Sequence, residues 1–326
     1  MSYRLDPAMP MSEALRSVGL AELEIAHSSL ATPPDRHTGV HSARKCFKRL
    51  RSLLLLARPG MPEPVFSNLS ARVANIGKGL AAARDAQALL DAVDKLEKAT
   101  EAGSGDGPMQ SVRGWLHKRR HAAEQNLEQT TASEAMRKLL ELRPAFAGLA
   151  VYPDDFQPLA KGLERCYRAT RRSFKVIFDT DDAEELHEWR KGVQHHWRQM
   201  QLLTPCWPSE LSARAEAARS LSQLLGEDHD IAMLMHLVST PTMTFGSPED
   251  TTAFMKRCRK RHKALRQEAK IKGERLFVEK PGPFAERIEA YWLTAAIGAD
   301  KPVARPPQQD NVVAFGDART GRAGQS

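Results

Sequence analysis

Long stretches rich in Ala, Leu, Glu, Lys, Arg and Gln follow one another from Ser12 to Ile297, the composition of amphipathic helices. No run of alternating β-branched residues argues for a strand; Val176–Phe178 is short and sits inside a helical pattern. Breakers cluster at Ala31–Gly39, Arg58–Val65, Glu101–Pro108, Val151–Pro158, Thr204–Glu210 and Ser239–Asp250, and they punctuate about eight helices. The longest purely apolar run, Leu53–Ala57, falls far short of the ~20 residues of a membrane span. The N-terminus has no apolar signal region. From about Asp300 the chain turns Pro-, Gly- and polar-rich, and disorder is expected there. The fold class expected is all-α.

The most one-sided helix starts at His41. On a projection at about 100° per residue, with His41 at zero, Arg44 lies near −60°, Lys48 near −20°, Lys45 near +40°, Arg49 near +80° and Arg51 at the margin near −80°. Ala43, Cys46, Phe47 and Leu50 fall on the opposite side. A second helix repeats this geometry: His187, Arg190, Lys191, Gln194, His195 and Arg198 share one arc, with Trp189, Val193 and Met200 opposite. An ordinary solvated face is relieved by acids three or four residues away, and none stands between His41 and Arg58. Like charges at those spacings repel by a few tenths of a kcal/mol per pair. Two such faces imply a polyanion that neutralises them, lysines as mobile point charges and arginines as planar forks for phosphate oxygens.

The two helices belong to a repeat. His41 and His187 stand 146 positions apart, Asp85 and Asp230 stand 145 apart, and His121 and His262 stand 141 apart, in the same order. The reading is two four-helix halves, residues 12–150 and 151–297, related by an internal pseudo-two-fold, after an N-terminal extension (1–11) and before a disordered tail (298–326). Two roles stay open for His41 and His187, phosphate contact or packing at the helix start. Asp85 and Asp230 follow Arg84 and His229 and read as acids that orient those neighbours.

Charge sharpens the picture. The chain of 326 residues has a net charge of +8 and a pI near 9.4, which suits nucleic acid, an anionic membrane or a phosphate polymer. Cys46, Cys166, Cys206 and Cys258 form no CxxC and lack a His at zinc spacing, as expected of reduced thiols in a cytosol.

On these residues the sequence resembles the CHAD family, the conserved histidine α-helical domains, over about Ser12–Ile297. The first motif is carried by His41, Arg44, Lys45, Lys48, Arg49 and Arg51; "LHEWRKGVQHHWRQMQLL" and "LLGEDHDIAML" carry the second half. The resemblance implies two four-helix bundles around a basic groove or pore, binding of inorganic polyphosphate, and a cytoplasmic protein at polyphosphate granules. By position it implies Arg44, Lys45, Lys48, Arg49, Arg190 and Lys191 as primary binders, with His41, Arg51, His187, His195 and Arg198 on the same faces. "YRATRRSFK" adds Arg168, Arg171 and Arg172, and the later helices add Arg120 and Arg261. No catalytic residue, metal or cofactor is expected. The second motif departs from the family pattern: Gln194 and His195 stand where cations are usual, and Arg198 replaces a tyrosine. Protonation of His195 and His196 would restore charge, so binding is expected to tighten as pH falls from 8 to 6.

Three alternatives compete with this reading. "EDHD" at Glu227–Asp230, with His41, His187 and His229, is similar to metal-dependent phosphohydrolases, but a cationic face repels a divalent ion and Arg84 replaces the first-half counterpart of His229. Nucleic-acid binding, expected to be weak and salt-sensitive, lacks a recognised motif or an aromatic platform among the cations. A scaffold that carries other proteins to a phosphate polymer is the third; the sequence identifies no protein partner.

Overall fold

The computed structural model describes residues 3–33, 35–80, 82–99, 107–125, 129–180, 183–240 and 247–299. Its elements are α1 (Met11–Ala31), α2 (Arg36–Ala57), α3 (Glu63–Gly79), α4 (Ala82–Ala99), α5 (Gly107–Gln125), α6 (Gln129–Ala147), α7 (Gln157–Thr180), α8 (Ala183–Leu203), α9 (Pro208–Val238), α10 (Pro248–Leu276) and α11 (Pro281–Ala299). Short 3-10 turns follow α2 and α8. Among the described residues the fold is all-helical, as the composition implies. The breaker clusters fall at helix boundaries, but eleven α-helices stand among the described residues against about eight expected, because no such cluster marks the α3–α4, α5–α6, α7–α8 and α10–α11 boundaries. The tail expected to be disordered lies, from residue 300, outside the described residues.

Local chemistry sets the helix starts. The Asp35 carboxylate accepts from the Thr38 amide (2.9 Å) at the start of α2. Ser247 and Asp250 close a reciprocal capping box at the start of α10. Prolines occupy the first turn of α3 and α9, where the missing N–H costs nothing.

Two hydrophobic clusters form the core. The larger draws on α1, α2, α3, α6, α7, α8, the first half of α9, the end of α10 and α11. The smaller joins α4 and α5 to the second half of α9 and the first part of α10. Residues 151–158 therefore join the sequence halves without dividing the core, because the α4–α5 hairpin packs against α9 and α10 of the other half. The segment expected as an N-terminal extension is also part of the core: Tyr3 and Leu5 are buried, and the Leu5 amide donates to the Leu202 carbonyl oxygen (2.8 Å).

Helix α7 sets the spacing of the two motif helices. At Gly162 a Cβ would lie 1.9 Å from the Leu56 carbonyl oxygen of α2. At Gly192 of α8 one would lie 2.3 Å from the Thr170 hydroxyl of α7. Only glycine permits both approaches, so α2 and α8 are drawn against one strut and towards each other. The projected apolar sides face inward as expected: Ala43, Cys46, Phe47 and Leu50 of α2, and Trp189, Val193 and Met200 of α8, are all buried.

Candidate functional site

Between α2, α4, α8 and α9 opens a cleft of about 580 Å³. Helix α2 supplies Arg44, Lys48 and Arg51, and α8 supplies His187, Arg190, Lys191, Gln194, His195 and Arg198. The two faces that the projection singled out thus meet across one space. Seven lysines and arginines line it against two carboxylates, Glu227 and Asp230. The seventh cation, Lys95 of α4, carried no signal in the sequence, because it stands alone on an otherwise mixed helix face.

Several of these cations are held in place. Arg44 donates to the Gly77 carbonyl oxygen (3.1 Å) in the last turn of α3, where the helix dipole favours a cation. Arg198 is buried; it donates to the Gln194 carbonyl oxygen (2.7 Å) and lies 4.7 Å over the Trp197 ring. Burial, with Arg49 and Arg51 adding repulsion, pushes its pKa down to about 10, and it remains cationic at neutral pH. Burial also lowers the pKa of Arg190, which Asp230 partly offsets, and the Arg190 Nε has no hydrogen-bond partner among the described residues. Asp230 thus acts on the charge of Arg190. The Asp85 and Arg84 side chains lie outside the described residues.

One contact crosses the cleft floor directly. The Ser52 hydroxyl lies 2.8 Å from His195 Nδ1 and also bonds the Lys48 carbonyl oxygen (2.9 Å). It stitches α2 to α8. Ser52 carries no signal in the sequence, because a lone serine among leucines reads as an ordinary helix residue.

The histidines correct the expected pH response. Burial, and then Arg198, Arg51 and Lys191, hold His195 down at about 3. His196 is buried and faces Arg214, and its pKa lies well below the usual imidazole value. Burial and the neighbouring cations Lys191 and Arg190 lower that of His187 as well. Neither His195 nor His196 takes a proton between pH 8 and 6, so polyanion affinity is expected to stay flat across that range when measured by titration. Stability should behave differently. A depressed folded-state pKa contributes stability present above the unfolded value of ~6.5 and lost as pH falls towards the folded value. Urea midpoints are therefore expected to fall steadily below about pH 6.5.

Other expected contacts stand elsewhere. Lys45 is exposed outside the cleft, and His41 is half-buried at the start of α2 and does not line it. Arg49 turns under the N-terminal segment, where it pairs with buried Glu22 of α1 (3.2 Å). On α7, Arg168 pairs with Glu164, Arg171 donates to the Phe277 carbonyl oxygen (2.9 Å), and Arg172 is exposed; none of the three lines the cleft. Arg120 donates to Gln87 (2.8 Å). Arg261 donates to Glu227 (2.6 Å), so it neutralises an acid of the cleft wall rather than forming the wall itself.

Comparisons with known proteins agree with this architecture. The family model of the CHAD domain matches residues 23–239. The structure of PptA from Streptomyces chartreusis is similar at a TM-score of 0.58 and 13% identity, covering 83% of this chain and 100% of that one. The crystal structure of the CHAD domain from the plant Ricinus communis is similar at a TM-score of 0.51 and 15% identity, covering 90% and 95%. At these identities the likeness is one of fold. No curated protein matches the chain significantly in sequence.

Proposed function

The chain belongs to the CHAD family, whose members bind inorganic polyphosphate, and from that premise we propose that it binds this polymer in the cleft between α2 and α8. The observation that carries the reading is the convergence of Arg44, Lys48, Arg51, Lys95, Arg190, Lys191 and Arg198 on one space. A linear phosphate chain laid there exchanges its counterions for fixed cations. On this reading the sequence repeat is functional: each half supplies one motif helix to one binding site, and the polymer is the element that the pseudo-two-fold relates to both. Localisation at polyphosphate granules follows from the same affinity.

The cleft favours an inorganic polyanion over single-stranded nucleic acid, because no Phe, Tyr or Trp is among its lining residues to stack a base. It favours binding over metal-dependent hydrolysis. Glu227 is engaged by Arg261, Asp230 supports Arg190, and burial with Arg190 and His187 holds His229 at about 4 among cations rather than acids. No described helix is long and apolar enough to cross a membrane.

Titration of labelled long-chain polyphosphate at a series of salt concentrations tests the proposal. The logarithm of the binding constant is expected to fall linearly with the logarithm of salt concentration, as for other phosphate polymers. Single-stranded RNA should compete only weakly, and phosphate release with Mg²⁺ or Mn²⁺ should stay at background. Salt-independent binding, or RNA competing as well as polyphosphate, would contradict the reading.

A further inference from the structure

Helices α8 and α9, which wall the cleft together with α2 and α4, carry a second cavity on their other faces. It has a volume of about 400 Å³, within the ~300–1,000 Å³ range of small-molecule sites, and lies between α7, α8, α9 and α10. On α8, Leu186 and Trp189 face it while His187 and Arg190 face the cleft; on α9, Leu225 and Asp228 face it while Glu227 and Asp230 face the cleft. Its wall is mainly apolar, built from Phe178, Leu186, Trp189 and Leu225.

Two features set this cavity apart from a packing gap. Trp189 is 1% exposed, and its indole N–H has no acceptor among the described residues; buried donors are almost always partnered in folded proteins. The cavity also has a polar end. Asp228, likewise 1% exposed, lies 2.7 Å from His262 Nδ1 and 3.7 Å from Arg266 Nε. These approaches do not meet hydrogen-bond geometry, so the carboxylate acts on its two neighbours through charge. Beside them stand Lys263 and Lys270, both exposed, with the Lys270 Nζ 5.3 Å from the centre of the Phe178 ring. Cations outnumber the single acid, so the cavity combines an apolar body with an electropositive mouth.

We propose that this cavity binds a small amphipathic monoanion, a carboxylate with an aliphatic or aromatic body. The apolar part lies against Phe178, Leu186, Trp189 and Leu225, and the carboxylate meets Lys263 and Lys270. Polyphosphate, which has no apolar surface, does not enter it, so the site is independent of the cleft.

Isothermal titration with sodium decanoate, kept below its micelle concentration, tests this on the full chain. Saturable one-to-one binding is expected. Reversing the exposed pair with Lys263→Glu and Lys270→Glu should weaken it by about tenfold or more, through the loss of two charge-assisted contacts. Leu186→Trp, which fills the cavity, should weaken it similarly, while polyphosphate affinity stays within about twofold in both variants. Decylammonium should bind far more weakly than decanoate. Absence of saturable binding, unchanged decanoate affinity in both variants, or equal binding of decylammonium would overturn the proposal.

Discussion

Replacing Lys48, Arg51 and Lys191 together by glutamine is expected to weaken polyphosphate binding about a hundredfold or more at 0.1 M salt, with helix content unchanged. All three line the cleft, and none is fully buried. Lys191 pairs locally with Glu188 at 2.6 Å, and both side chains are largely solvated, so breaking that pair costs only a few tenths of a kcal/mol. Arg51 has no ion pair with a carboxylate among the described residues, so its removal leaves no acid stranded. Each lost contact to a phosphate oxygen contributes about 1 kcal/mol once salt screening is allowed for, and three of them amount to about two orders of magnitude in affinity. The salt slope should flatten in parallel, since fewer counterions are exchanged. Filter-binding or anisotropy titrations, with circular dichroism on the same samples, check both parts. The corresponding substitution of Arg168 and Arg172 on α7 should change affinity less than about threefold, because neither side chain reaches the cleft.

Arg49→Ala should instead act on folding. Glu22 is 2% exposed and depends on the Arg49 guanidinium 3.2 Å away. The Cys46 thiol faces the same carboxylate, and burial together with Glu22 raises its pKa. The Tyr3 hydroxyl donates to the Arg49 carbonyl oxygen (2.9 Å), and the Arg49 side chain lies 5.2 Å over the Tyr3 ring. Removing one partner of such a pair strands a buried charge, which costs about 3–5 kcal/mol in a closed site. Arg49 is 34% exposed, so water relieves part of this, and a loss of about 2–4 kcal/mol is expected. Urea unfolding measures it. Adding Glu22→Gln to Arg49→Ala should recover much of the loss, because the stranded charge is then gone. If Arg49→Ala instead lowered polyphosphate affinity at unchanged stability, Arg49 would be a binding residue after all.

These two variants mark how far the sequence could be read. The apolar and cationic sides of α2 and α8 were legible, since a helix repeats its faces at a fixed angle. The pairing of the two helices was legible from the repeat. The flank of α2 that opens on the cleft was not. Arg44, Lys48 and Arg51 lie on one side of the projected arc and line the cleft, while Lys45 and Arg49 lie on the other and do not. That choice is made by α1, which covers one flank and brings Glu22, and by α8, which brings His195 against Ser52. Neither partner is encoded within the helix itself. Arg171 and Arg261 were misplaced for the same reason: their partners, Phe277 and Glu227, lie 106 and 34 positions away. The histidine pair His195–His196 looked titratable because a sequence does not disclose burial. The division of the core escaped as well, since the contact of the α4–α5 hairpin with α9 and α10 crosses the boundary that the repeat suggested.

On this reading one cleft, shared by two motif helices, holds the polymer. A crystal structure of the chain with a short linear polyphosphate tests it most directly. The expected result is continuous density along the α2–α8 cleft, with phosphate oxygens within hydrogen-bond distance of Lys48, Arg51, Arg190 and Lys191. Density that lay instead along the outer face of α7, over Arg168 and Arg172, with the cleft left to solvent, would contradict it.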